Sequence, residues 1–311
     1  MHAFISIRLK AAYVQALMLI AGPLPAASQS RQREIDPVCD LKGCGTNPDG
    51  RPLPGVTDVE RRRFIKGLAS LPLATVLAYP ELARAAAGRM EQVAVATPSG
   101  GTALAALALP ERLPAPAVLL VPEWWGLNDQ IKAVAQELAA QGYIALAADI
   151  YDGEVGTTRE EAMALVKAFD PAAGLEKLTA LAQWLKGHEA GTGKVGTVGW
   201  CFGGGWSLNV SLATPVDATV IYYGNVTKTP EELAPLSGPV LGHFGTLDKR
   251  INAAMVGGFE AAMGAAGKTD LAVHWYDADH AFANPTGSRY DEEDARVSWS
   301  RTLAFFREHL G

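Results

Sequence analysis

Gly199-Trp200-Cys201-Phe202-Gly203 combines a reactive side chain with the spacing of a sharp turn. It follows the apolar run 194–198, which reads as a buried strand, and Gly204 and Gly205 lead into a predicted helix. A nucleophile flanked by glycines at a strand-to-helix turn projects alone into a cleft, and the glycines let the turn tighten against the helix. A thiol in that place needs a base and a positive local field to react near neutral pH. Two later residues stand where partners are needed. Asp248 follows the predicted strand 240–244, and His280 follows the predicted strand 271–276. His280 would take the thiol or leaving-group proton, while Asp248 would fix its tautomer and stabilise the imidazolium. A loop aspartate is usually a turn former and a lone histidine usually structural. Their joint placement at strand ends carries the expectation.

Glu123 stands in Pro122-Glu123-Trp124-Trp125-Gly126, directly after the short apolar run 118–121. Beside bulky aromatics, its carboxylate would be poorly solvated and able to exchange a proton with a neighbouring thiol; the other reading is an exposed loop acid beside core tryptophans. The backbone N–H groups of Trp124 and Phe202 are the expected oxyanion hole, since one donor is normally the residue after the nucleophile.

The elements that must position these groups are legible as alternating periodicities. Segments 93–97 and 102–109 flank Pro98-Ser99-Gly100-Gly101, a hairpin signal. Further strands are expected at 118–121, 143–148, 195–198, 218–223, 240–244 and 271–276, with helices at 128–141, 159–169, 174–186, 253–266 and 290–310. Strands alternating with helices imply an α/β fold: a mostly parallel central sheet covered by helices on both faces, with functional loops at the carboxyl ends of the strands. The order nucleophile, acid, histidine is that of an α/β-hydrolase.

The chain has 311 residues, 49% of them hydrophobic and 19% charged, with a net charge of -6. That balance speaks against a nucleic-acid partner, which needs a basic face. Charge is uneven. Residues 1–87 hold eleven Lys/Arg against seven Asp/Glu, and the remainder sixteen against twenty-six. Arg61-Arg62-Arg63-Phe64-Ile65-Lys66, the uncharged run 67–80, and the small-x-small sites Ala83-Arg84-Ala85 and Ala85-Ala86-Ala87 resemble a twin-arginine export signal. The expected division is a leader or disordered extension at 1–60, the signal at 61–87 and one catalytic domain at 88–311. Residues 11–27 form a second signal-like run broken by Pro23 and Pro25, so either an upstream start or a long leader accounts for them. With the signal removed, no stable membrane anchor is expected and the protein would be periplasmic. Cys39 and Cys44 fall in the leader, which leaves Cys201 the sole cysteine of the mature chain. No metal-ligand cluster or phosphate-binding loop is present in the sequence, so no cofactor is implied. The sequence does not specify an oligomeric state.

From about Met90 to Gly311 the chain resembles the dienelactone hydrolase family of α/β-hydrolases. The matching landmarks are Pro122-Glu123-Trp124-Trp125-Gly126, Asp149-Ile150-Tyr151, the elbow, Asp248, His274-Trp275-Tyr276, His280-Ala281-Phe282, and Arg289-Tyr290-Asp291 with the last helix. The resemblance implies a Cys201–His280–Asp248 triad and a Glu123 that keeps the resting thiol neutral, then accepts its proton when substrate binds. It implies a small ester or lactone substrate. In the founding enzymes two arginines and a tyrosine hold the substrate carboxylate. Arg159 lies where the first arginine is expected, Met163 replaces the tyrosine and Asn284 the second arginine. These three, with Trp125, are the expected substrate contacts. Arg159 read by its position alone is a solvated cation at a helix start. Two other functions remain open at this level: a broader esterase or thioesterase for neutral substrates, and a catalytically silent binding protein.

Overall fold

The computed structural model describes residues 90–311. The leader, the twin-arginine segment, Cys39 and Cys44 lie outside the described residues. The chain opens on a hairpin, β1 (Glu91–Ala96) and β2 (Thr102–Ala108). Then follow β3 (Ala115–Val121), α1 (Asp129–Ala140), β4 (Ile144–Asp149), α2 (Arg159–Ala168) and α3 (Pro171–Lys186). The second half runs β5 (Gly191–Trp200), α4 (Phe202–Ala213), β6 (Ala218–Tyr222) and α5 (Pro230–Leu233). It closes with β7 (Val240–Gly245), α6 (Ala253–Ala265), β8 (Leu271–Tyr276) and α7 (Glu292–Leu310). The strands form one eight-stranded sheet in the order β1-β2-β4-β3-β5-β6-β7-β8. Only the β1–β2 and β2–β4 pairs are antiparallel; β3 to β8 run parallel. This is the α/β-hydrolase fold expected from the alternation.

The central strands are apolar on both faces because helices cover both. Along β3, Val118 and Leu120 pack with Ile131 and Leu138 of α1 and Phe306 of α7. Leu119 and Val121, one residue out of phase, pack with Leu178, Leu181 and Leu185 of α3. Each such side chain is worth about 1.5–3 kcal/mol on burial, so a slip of one residue would expose an entire face. Under the elbow, buried hydroxyls tie α4 to the sheet: Ser207 Oγ donates to the Val220 carbonyl at 3.0 Å and pairs with Thr197 Oγ1 at 2.9 Å.

Several boundaries differ from the sequence expectation for local reasons. α3 starts at Pro171 rather than 174, because Asp170 caps it by accepting the Ala172 and Ala173 N–H groups. α7 starts at Glu292 rather than 290, behind its cap Asp291. α5 was not expected at all. Four residues are too few for a periodic signal, although Thr229 and Glu232 form a capping box there.

Candidate active site

β5 ends at Trp200, and Cys201 turns the chain with φ 53° and ψ -113° before α4 begins at Phe202. A left-handed φ at a residue other than glycine costs on the order of 1–3 kcal/mol and persists only where its surroundings impose it. They do so here. A Cβ on Gly199 would collide with the Gly203 carbonyl, and one on Gly203 with the carbonyl of Val121. The Cys201 N–H donates to the Tyr222 carbonyl at 3.0 Å, fastening the turn to β6. The thiol therefore stands at the N-terminus of α4, where the helix dipole favours negative charge.

Asp248 and His280 follow β7 and β8 and converge on this thiol. His280 Nε2 is 3.0 Å from Cys201 Sγ, and its Nδ1 is 2.6 Å from Asp248 Oδ2. All three lie within the same wall, with Asp248 and His280 buried. Asp248 Oδ1 accepts the Arg250 and Ile251 N–H groups at 2.8 and 3.0 Å. Burial alone would raise its pKa, but the His280 hydrogen bond and these two backbone donors outweigh burial and hold it below the ordinary carboxylate value. An ionised Asp248 only accepts, so His280 carries a proton on Nδ1 and presents Nε2 to the thiol. Burial, then the Glu123 carboxylate, pushes the Cys201 thiol up to about 12, against the Phe202 N–H and Arg250, which favour the thiolate.

Glu123 follows β3 and is 3% exposed, not a loop acid in solvent. Its Oε2 accepts from Asn284 Nδ2 at 2.7 Å and its Oε1 from the Tyr223 hydroxyl at 3.4 Å. Burial raises its pKa, opposed by Asn284, His280, Tyr223 and Arg289. The hydrogen-bond partner of the thiol is thus His280, and an ionised Glu123 disfavours the thiolate. Trp124 lies in the turn closed by the bond from Gly126 N–H to the Glu123 carbonyl, 3.1 Å long. Its own N–H has no protein acceptor among the described residues, and the Phe202 N–H points to the nucleophile's sulfur. The Phe202 N–H at the nucleophile and the unengaged Trp124 N–H are the donors available to an oxyanion.

A cavity of about 900 Å³ opens over these groups, and Trp125, Arg159 and Asn284 line it. Met163 does not. It is 53% exposed and lies outside the lining, which corrects its expected role in substrate contact. On α2 it is about 100° round the helix from Ala162, the residue that turns inward and is fully buried. Asn284 is also less available than expected: its amide is committed to Glu123, and its Oδ1 accepts from the Thr286 N–H and hydroxyl. Sequence reasoning missed Tyr223, Arg250 and the wall position of Arg289. Tyr223 has φ 37° and sets its ring 5.3 Å from that of His280. A tyrosine ending an apolar strand gives no local hint of either role. Among the described residues, no group of three or more His, Cys, Asp or Glu side chains is placed to hold a metal ion.

Comparison with known proteins adds the family. A sequence model of the dienelactone hydrolase family matches residues 104–310. The chain belongs to the dienelactone hydrolase family. It is a hydrolase of ester or lactone bonds. It is 31% identical over 226 residues to a carboxymethylenebutenolidase of Pseudomonas putida, covering 69% of this chain and 95% of the relative. Carboxymethylenebutenolidase 1 of Cupriavidus pinatubonensis is 28% identical over 221 residues, covering 68% and 94%. Among solved structures, a dienelactone hydrolase-like promiscuous phosphotriesterase from metagenomic libraries superposes with a TM-score of 0.64 at 26% identity, covering 71% of this chain and 99% of that one.

Proposed function

We propose that the chain hydrolyses a small ester or lactone through a thioester acyl-enzyme, with Cys201 as nucleophile, His280 as base and then acid, and Asp248 as its orienting anion. The observation that carries this reading is the continuous contact Sγ–Nε2–Nδ1–Oδ2 at a glycine-framed elbow, 3.0 and 2.6 Å long. The substrate carbonyl sits between the Trp124 and Phe202 N–H groups. As sulfur attacks, His280 Nε2 takes the thiol proton and the carbonyl oxygen becomes an oxyanion held by the two amides. Collapse breaks the C–O bond, and the imidazolium returns the proton to the leaving oxygen. Water then gives its proton to His280 and attacks the thioester, releasing the acid and the thiol. Electrostatic stabilisation of that oxyanion by fixed dipoles is worth several kcal/mol.

Glu123 keeps the resting thiol neutral through its buried charge. A neutral thiol resists oxidation, which begins at the thiolate. That property suits the location we assign: export across the inner membrane by the twin-arginine signal at 61–87 to the periplasm. Support for it is the order Arg-Arg-x-Phe-Ile-Lys, weak apolar run and A-x-A site in the sequence. N-terminal sequencing of exported protein should begin just after Ala85 or Ala87, and Arg61→Lys with Arg62→Lys should retain the precursor inside. For the chemistry, a panel of activated esters and lactones is assayed with wild type and Cys201→Ala. Activity should fall by about 10⁴-fold or more, and mass spectrometry of wild type should catch an acyl adduct on Cys201. Retention of activity in Cys201→Ala would refute the nucleophile.

A further inference from the structure

Five basic side chains line the cavity: Arg159, Lys228, Lys249, Arg250 and Arg289. Lys228 reaches Glu232 at 3.4 Å, whereas the other four have no carboxylate within 4.0 Å among the described residues. The carboxylates that share the lining are already engaged. Glu123 is held by Asn284 and Tyr223, Asp248 by His280, and Asp279 by the His280 N–H at 2.6 Å. This concentration of unpaired cations occurs in a part of the chain, 88–311, with sixteen Lys/Arg against twenty-six Asp/Glu. Seven cations outside the cavity also lack a carboxylate within 4.0 Å among the described residues, so what distinguishes these four is their convergence on one cavity. A cleft with five cations against three carboxylates, in an acidic body, focuses the field on its mouth and draws in ligands of negative charge.

The unpaired cations come from three separate segments. Arg159 opens α2, Lys249 and Arg250 follow Asp248 behind β7, and Arg289 precedes α7. One carboxylate can be held by one guanidinium in a bidentate pair, and even a carboxylate held by two arginines, as in the founding enzymes, leaves one of these three guanidinia over. At about 900 Å³ the cavity is also near the upper end of ordinary ligand sites, which run to about 1,000 Å³. Arg250 lies close enough to Cys201 for its charge to favour the thiolate, and Arg289 close enough to act on Glu123. Both cations line the same cavity as the reacting groups.

We propose that the substrate is an ester or lactone bearing two anionic groups, carboxylate or phosphate, one read by Arg159 and the other by Arg250 and Arg289. This rests on the ester-hydrolase reading and adds the substrate's charge to it.

The test is a matched series of aryl esters with one leaving group and acyl parts carrying no carboxylate, one, two, or one carboxylate and one phosphate. At low ionic strength kcat/KM should rise by about tenfold per charge, and the gain should shrink in high salt. A preference for the phosphate arm supports the proposal and names phosphate as the second group. Arg250→Gln and Arg289→Gln should each lower the ratio of dianionic to neutral turnover about tenfold, with part of it restored by Arg289→Lys. Arg112→Gln, an exposed cation outside the cavity, should leave the ratio where it was. Binding of a non-hydrolysable dicarboxylate to Cys201→Ala gives the same comparison without turnover. Equal turnover across the charge series, a mono-anionic optimum, or ratios untouched by the arginine variants would overturn the inference while leaving the hydrolase reading intact. Failure of every ester, with no acylation of Cys201, would instead strike the hydrolase reading itself.

Discussion

Cys201, Asp248, His280 and Glu123 stand at the ends of four strands, low in exposure or buried, each tied by hydrogen bonds to its neighbours. Arg159, Arg250 and Arg289 face the same cavity as exposed side chains on a helix start and two connections, without ion-pair partners. The first set owes its geometry to the backbone. The second owes it to long, movable side chains whose loss would disturb no core packing. Chemistry and substrate choice are thus separable in this molecule: the strand ends fix the reaction, and the rim selects what undergoes it.

Three substitutions test how deep that separation runs. Asp248→Asn attacks the strand-end set. An amide can present its NH₂ to His280 and stabilise the wrong tautomer, so kcat should fall by about 10²–10⁴-fold, checked by ester turnover with circular dichroism showing an intact fold. A loss confined to KM would break the comparison, because it would give Asp248 a binding role. Glu123→Gln removes one buried negative charge and keeps an acceptor for Asn284. The thiolate is then disfavoured less, the thiol falls from about 12, and alkylation of Cys201 by iodoacetamide at fixed pH should speed up about tenfold for each unit lost. Folding feels the same change. The Glu123 carboxyl is raised in the folded state, so its stabilising contribution is complete below the ordinary glutamate value of 4.5 and is lost as pH rises through the raised value. The glutamine variant should accordingly melt higher than wild type at neutral pH, as read by calorimetry. Unchanged alkylation would mean that Glu123 does not govern the thiol. Met163→Ala should do least: less than a twofold change in kcat/KM on any ester, since its side chain lies off the cavity.

The triad was legible in the sequence because its steric demands are local. Only glycine fits at 199 and 203 beside the carbonyls that cross there, and only strand ends leave room for Asp248 and His280. Glu123 was half legible: its place after β3 was clear, while its burial depends on Asn284 and Tyr223, distant in the chain. Met163 was misread because it sits four residues after Arg159, and the inward stripe of α2 passes through Ala162 instead. Arg250 and Arg289 carry no local mark at all. They become neighbours of the site through crossovers between β7, β8 and α7 that no spacing rule reports.

The strand order has one more consequence. Glu123, Cys201, Tyr223, Asp248 and His280 follow β3, β5, β6, β7 and β8, which lie side by side. The connections after the strands close the remaining gaps: His280, three strands from Cys201, reaches to 3.0 Å from its sulfur. No short stretch of chain contains the site, and its last member arrives with β8 at the sheet edge. Pairings between segments so far apart in sequence are slow to form. During refolding, ester turnover should therefore lag the recovery of β structure, and the enzyme's own activity becomes the clock for closure of its final strand.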